Sequence, residues 1–154
     1  MLAVSYQLNQ NVLEFSRVKD HLGNILFQIS PSVNKSRVEV LSEDGQTLYY
    51  GTKQTSFFKR NYTFTGEQSN TTFTMKKKHN LLVKQHFIIE HKDFSIDIKK
   101  NNNDWTRFYE GNTEVARWLV RLQKGNTHHV QIEHNATIQS PAFYIFLAEL
   151  ISHA

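Results

Sequence analysis

The end of the chain is the sequence feature that most constrains its fold. Residues 141–151 read Pro-Ala-Phe-Tyr-Ile-Phe-Leu-Ala-Glu-Leu-Ile, a helix-forming run that is apolar around almost its whole circumference. A helix that is apolar on all sides has to be surrounded by other parts of the protein. Ser140 is a good N-cap and Pro141 suits the first helical position, so the sequence predicts a central helix over about residues 140–152. The run is about half of the ~20 apolar residues that span a bilayer, which favours burial over a membrane anchor.

The chain before this helix has the pattern of short β-strands. Turn signals recur about every ten residues, as at 42–45 and 110–112, and predict ten to twelve strands over about residues 3–138. A closed barrel of about twelve strands is wide enough to hold a helix, whereas one of about eight is filled by its own side chains. The sequence therefore predicts a mainly β fold, in which a closed antiparallel β-barrel of about twelve strands encloses a hydrophobic C-terminal α-helix. The whole of residues 1–154 is expected to be one such domain.

The register of two hairpins follows from the requirement that apolar residues pair on one face of the sheet. In the hairpin of residues 86–99, Phe87 is predicted to meet Ile98 on the buried face. His86 is then predicted to meet Lys99 on the outer face.

The second hairpin is built around a predicted three-residue loop, residues 124–126. This loop pairs Trp118 with Ile132 on the buried face and Arg117 with Glu133 on the outer face. A two-residue loop would set apolar positions against charged ones, so the longer loop, with Gly or Asn in the left-handed conformation, is favoured.

Composition limits the setting of the protein. The chain contains no cysteine, which excludes disulfides, thiolate metal centres and a cysteine nucleophile, and which fits a reducing, cytoplasmic compartment. We expect no signal peptide, because the first residues lack a basic segment followed by an apolar core. The formal net charge of +4 permits attraction to anionic lipid or nucleic acid. We therefore expect a cytoplasmic protein that can lie at the periphery of a membrane.

The sequence contains none of three common catalytic motifs: the Gly-x-Ser-x-Gly elbow, a Gly-rich phosphate loop and His-Glu-x-x-His. Glu90 or Glu149 can be perturbed by burial, but a lone buried carboxylate is not a mechanism. His128 and His134 share a strand face but lie too far apart, at ~3.3 Å per residue, to bind one metal ion. We therefore predict no enzymatic activity, no catalytic residue, no metal and no cofactor.

Several segments follow the order and spacing of a known family. Residues 18–27 form a unit of aspartate, turn glycine and apolar strand, residues 38–46 form the next hairpin, and residues 114–118 form a late valine-alanine strand. Together with the terminal helix, they resemble the tubby C-terminal-like superfamily, and within it the LURP-one-related proteins and their small bacterial relatives. The resemblance covers nearly the whole chain and implies a barrel threaded by the helix. It also implies that binding takes place on the barrel exterior, where tubby proteins hold phosphoinositides through basic side chains.

Basic residues are the candidates for binding an anionic lipid headgroup. Lys76, Lys77 and Lys78 are consecutive and come first, while Lys59 and Arg60 lie beside aromatic residues and come second. A lysine near an anionic leaflet contributes ~1 kcal/mol to binding. We therefore expect a monomer that binds an anionic lipid or a membrane surface through these residues.

Two other functions are open. Phe58, Tyr62, Trp105 and Arg107 combine aromatic and cationic side chains, as grooves that bind single-stranded nucleic acid do. The competing interpretation is that alternate rings face the core while the basic side chains are solvated. The chain can also be a protein-interaction or structural module without a small ligand.

Overall fold

The computed structural model of the protein describes residues 1–7, 15–20, 22–30, 37–55, 60–66, 71–78, 85–91, 93–101, 104–121 and 127–152. Within these residues it has twelve β-strands and one α-helix. The strands are β1 (Leu2–Gln7), β2 (Ser16–Lys19), β3 (Ile25–Ile29), β4 (Arg37–Ser42), β5 (Thr47–Thr55), β6 (Arg60–Gly66), β7 (Thr71–Lys78), β8 (Gln85–Glu90), β9 (Ser95–Lys100), β10 (Thr106–Glu110), β11 (Thr113–Arg121) and β12 (Thr127–Ile132). The helix, α1, is Pro141–Ser152 and follows the last strand.

The strands form one antiparallel sheet with a simple order. From β2 to β12 each strand pairs with the next one in the chain, and β1 pairs with β12. The predicted mainly β fold with a C-terminal helix is confirmed. The order leaves β1 and β2 as the two edges of the sheet, and no ladder pairing joins them in the described residues. Closure of the sheet into a barrel therefore stays a prediction.

The helix α1 lies within the curved sheet. All side chains of residues 142–151 are buried, so no face of the helix is left to solvent. α1 contacts β4 and β5 as well as β11 and β12, which are far apart in the strand order. Phe146 stacks on Tyr49 with ring centroids 5.6 Å apart, and Tyr144 lies edge-on to Phe108 at 5.2 Å. The helix is surrounded, as its all-round apolar sequence predicts.

One of the two predicted hairpin registers is confirmed. In the β8–β9 hairpin, Phe87 pairs with Ile98 and both are fully buried. His86 pairs with Lys99 on the opposite, outer face. The alternation of apolar and polar residues was enough to predict this register, because the connection between the two strands is short.

The predicted register of the β11–β12 hairpin is wrong by two residues. Trp118 pairs with Val130 instead of Ile132, and Arg117 pairs with Gln131 instead of Glu133. β11 ends at Arg121, which pairs with Thr127 at the start of β12, and the residues between them lie outside the described part of the chain. A shift of two residues leaves each side chain on its predicted face, so the alternation of apolar and polar residues is equally compatible with both registers.

A buried polar cluster ties α1 to the sheet. Glu149 lies on α1 with only 3% of its surface exposed, and its Oε1 accepts a hydrogen bond of 2.7 Å from the Tyr6 hydroxyl on β1. That hydroxyl in turn accepts a hydrogen bond of 2.9 Å from the Trp118 indole on β11. His128 on β12 stacks on Tyr6, and its Nδ1 lies 2.9 Å from Glu149 Oε1, an ion-pair distance without hydrogen-bond geometry. The one carboxylate of the apolar helix is thus satisfied inside the protein.

This cluster predicts a loss of stability at alkaline pH. Burial, and after it the Glu149 carboxylate, raises the pKa of Tyr6 well above its usual value. Above about pH 10 the unfolded chain therefore loses a tyrosine proton that the folded protein keeps. The unfolded state then binds fewer protons, so the free energy of unfolding falls as the pH rises above about 10 and is unaffected by this group below it. Burial likewise raises the pKa of Tyr49 and Tyr144.

The measurement is urea unfolding at a series of pH values between 8 and 11. We expect Tyr6→Phe to be less stable than the parent at pH 8 but to lose less further stability between pH 9 and 11. A slope above pH 10 that is the same in Tyr6→Phe and in the parent would contradict this assignment.

Candidate anion-binding surface

Strand alternation divides the predicted lysine run between the two faces of β7. Lys76 and Lys78 are exposed on the outer face. Lys77 is on the same side as the buried Met75, pairs with Phe87, and has its ammonium 6.0 Å from the centre of that ring. Lys76 and Lys78 therefore share the outer face while Lys77 does not, because successive residues of a strand point to opposite faces. The binding of an anion by these three lysines stays a prediction.

The structure does not describe the side chains of the two secondary candidates for anion binding, Lys59 and Arg60. Lys59 lies outside the described residues. Arg60 is the first residue of β6 and its backbone pairs with Thr55, while its side chain is outside the described part of the structure. Both stay predictions.

A row of cationic residues crosses the outer face of five neighbouring strands. Directly paired positions carry Lys78 on β7, His86 on β8, Lys99 on β9, Arg107 on β10 and Arg117 on β11. These five residues are named the cationic row. At ~4.8 Å between strands the row is about 19 Å long. It is formed by non-consecutive residues that only the pairing of the strands brings together.

Acidic neighbours balance part of this charge. Arg107 forms an ion pair of 2.8 Å with Glu114 and one of 3.5 Å with Asp104, and the hydrogen bond to Glu114 raises the pKa of Arg107. His86 lies 3.6 Å from Asp97. The other three members of the row, Lys78, Lys99 and Arg117, form no ion pair with any described residue. The row therefore has a net positive charge, concentrated in those three side chains.

Two of these three cations are held against aromatic rings. The Lys99 ammonium lies 4.9 Å from the centre of the Tyr109 ring. The Arg117 guanidinium lies 4.7 Å from the centre of the Trp105 ring, and its Nε donates a 2.7 Å hydrogen bond to Gln131. A ring face attracts a cation and restricts its side chain. The charges are therefore partly ordered before any ligand binds.

The residues proposed for nucleic-acid stacking are only partly brought together. Trp105 is half-buried on the outer face beside Arg107, which places a ring and a cation side by side. One face of that ring is already covered by Arg117. Phe58 lies outside the described residues, and Tyr62 is placed on β6, where its backbone pairs with that of Met75.

The chemistry available on this surface is the binding of anions. Lysine and arginine side chains donate several hydrogen bonds each and suit phosphate or carboxylate oxygens. Among the described residues, no three His, Asp or Glu side chains are placed to hold a metal ion. Sequence reasoning did not identify Arg117 and Lys99 as candidate site residues. The correctly predicted His86–Lys99 pair already placed two basic residues side by side, and it was the signal that could have pointed to the row.

Comparison with known proteins gives one match. A family model described as Tubby C-terminal like domain matches residues 3–154. Neither the curated proteins nor the solved structures contain a match to the chain. Within the described residues, no helix combines the length and apolarity that crossing a membrane requires.

Proposed function

The chain belongs to the Tubby C-terminal like domain family, and from this premise we propose that it is a non-enzymatic module that docks on an anionic membrane surface through the cationic row. The observation that carries the proposal is the set of three cations without an ionic partner among the described residues, Lys78, Lys99 and Arg117. We further infer that β1 and β2 complete a closed barrel, and that the protein is a cytoplasmic monomer at the membrane periphery. We also propose that, within the superfamily, its nearest group is that of the LURP-one-related proteins and their small bacterial relatives.

The shape of the row favours a surface over a single small anion. The cations are spread over about 19 Å of an open sheet face, at ~4.8 Å per strand, instead of converging on one point. An anionic leaflet offers phosphates over such a span, and each nearby Lys or Arg contributes ~1 kcal/mol. Three such residues correspond to an affinity gain of about two orders of magnitude over a neutral bilayer.

Vesicle binding tests the proposal. The parent protein should sediment with vesicles of phosphatidylcholine that contain phosphatidylserine or a phosphoinositide, should not sediment with phosphatidylcholine alone, and should bind less as salt is raised. Each of Lys78→Gln, Lys99→Gln and Arg117→Gln should weaken binding about fivefold, and the triple variant about 100-fold. Each variant is first compared with the parent in urea unfolding, so that a folding defect is not read as lost binding.

The matched control is Arg17→Gln. Arg17 is exposed on β2, outside the cationic row, and its replacement removes the same charge from the protein. We expect its affinity to stay within about twofold of the parent, since it is not part of the docking face. Equal binding to neutral vesicles, or a triple variant that binds like the parent, would refute the proposal.

A second candidate function rests on Trp105. Its ring, with Arg107 and Arg117 beside it, is the element that a single-stranded nucleic acid requires for stacking. Addition of an oligonucleotide would then quench tryptophan fluorescence, with a steep dependence on salt. A Trp105→Ala variant that loses oligonucleotide binding but keeps vesicle binding would favour this second function over the first.

A further inference from the structure

A cavity of about 670 Å³ opens where the two edges of the sheet meet. Its walls come from the first half of β1, from the end of β2 with the turn after it, from β3 and from the start of α1. β2 ends at Lys19, and the cavity is lined by Lys19 and Asp20 on that side and by residues 2–5 of β1 on the other. The cavity therefore lies between the two edge strands, and its volume is typical of a pocket for one small ligand.

The interior of this cavity is apolar down to the core. Leu2 and Leu26 stand at its rim, 43% and 38% exposed, and are among the few large apolar side chains exposed in the described residues. Phe27 and Ala142, each 3% exposed, lie deeper, and Ala142 belongs to the first turn of α1. Apolar side chains therefore line the cavity from its rim to the core of the protein.

A single cation stands among the residues that line the cavity. Lys19 is the last residue of β2 and is exposed, and the β-bulge opposite it adds Leu26 to β3. Lys19 forms no ion pair with a described residue. The neighbouring Asp20 is engaged in its own turn, where Oδ1 accepts hydrogen bonds of 2.9 Å from the backbone N–H groups of Leu22 and Asn24. Lys19 and Asp20 are the two charged residues of the lining, and Lys19 is the one that can pair with an anionic ligand.

We propose that this cavity binds a fatty acid, with the hydrocarbon chain between β1 and β3 and the carboxylate at Lys19. An apolar interior with one cation at the rim matches one alkyl chain that ends in one negative charge. A phospholipid would bring two chains to a cavity of single-ligand size. A peptide strand added to the β1 edge is the competing occupant, and amide exchange distinguishes it from a fatty acid. The site is separate from the cationic row and does not depend on the membrane-docking proposal.

Calorimetric titration with sodium dodecanoate, below its micelle concentration, tests the inference on the intact chain. Affinity should fall about fourfold for each methylene removed, so decanoate should bind about 15-fold more weakly than dodecanoate. Leu26→Trp should weaken binding at least tenfold by narrowing the cavity. If this variant folds poorly, Ala3→Trp replaces it, since Ala3 is exposed at the same rim.

The role of Lys19 is tested separately from the fit of the chain. Lys19→Gln should weaken dodecanoate binding about fivefold and leave the binding of uncharged dodecanol unchanged. Lys78→Gln, in the cationic row, is the matched control and should bind dodecanoate like the parent. Absence of dodecanoate binding, or binding that is indifferent to chain length and to both rim variants, would overturn the inference. If an extended apolar peptide protected the β1 amide protons from exchange and dodecanoate did not, the site would instead bind a peptide as an added strand.

Discussion

Replacement of Phe146 by alanine is expected to lower the free energy of unfolding by about 3–5 kcal/mol. The Phe146 side chain is fully buried in the middle of α1 and stacks on Tyr49 of β5. Its removal leaves a cavity inside the sheet, and the surrounding strands are held by their own ladders and cannot collapse into it. Urea unfolding followed by circular dichroism gives this difference directly, provided that the slope against urea concentration is unchanged.

The control for this substitution is Leu22→Ala. Leu22 lies in the turn between β2 and β3 and is 74% exposed, so its truncation removes apolar area that is already in water. A change within about 0.5 kcal/mol is expected there. If Phe146→Ala lost no more stability than Leu22→Ala, the helix would not be enclosed by the sheet.

Substitution of Tyr6 by phenylalanine is expected to have the second large effect, a loss of about 2–6 kcal/mol. One oxygen atom is removed, but two buried groups lose a hydrogen bond: the Glu149 carboxylate loses one of its contacts and the Trp118 indole loses its acceptor. A hydrogen bond to a charged group contributes about 1.5–3 kcal/mol, and a buried donor left unsatisfied costs about 1–3 kcal/mol. The loss should therefore exceed what the absence of one ordinary hydrogen bond would produce. It is measured by urea unfolding near pH 8, below the range in which tyrosine ionises.

A double-mutant cycle separates this effect from a simple packing change. Glu149→Leu replaces the carboxylate by an apolar side chain of similar volume, so the Tyr6→Phe/Glu149→Leu variant contains no buried carboxylate at this position. The double variant is expected to be more stable than the sum of the two single losses predicts, by about 1 kcal/mol or more. Additivity within about 0.3 kcal/mol would mean that Tyr6 and Glu149 do not interact.

The fold was largely predictable because two of its signals are local. The terminal helix is apolar on every side, which already requires a surrounding sheet. The β8–β9 hairpin has a short connection and strict alternation, so the pairing of Phe87 with Ile98 followed from adjacent residues. The register of β11 and β12 did not follow, since a period of two cannot separate registers that differ by two residues. The partners of Glu149 were hidden for another reason: Tyr6 is 143 positions away in the sequence.

The candidate site was less predictable, because a sheet surface is assembled from non-consecutive residues. A run such as Lys76-Lys77-Lys78 draws attention in a sequence but is divided between two faces in a strand. The cationic row depends on the pairing of Arg107 with Arg117, and the β10–β11 register shifts by a bulge one pair further along, between Phe108 and Tyr109. A bulge adds one residue to one strand and leaves no clear mark in the sequence.

The strand order also determines when this protein can first become stable during its synthesis. β1 needs β12 as its neighbour, and the helix that fills the interior follows β12 in the chain. At about 5–20 residues per second, roughly 6–25 s pass between the emergence of β1 and that of its partner. Throughout that interval the apolar faces of the earlier strands are uncovered on the ribosome, where they invite aggregation. Production of the native protein should accordingly depend on chaperones that shield the nascent chain until α1 has left the exit tunnel.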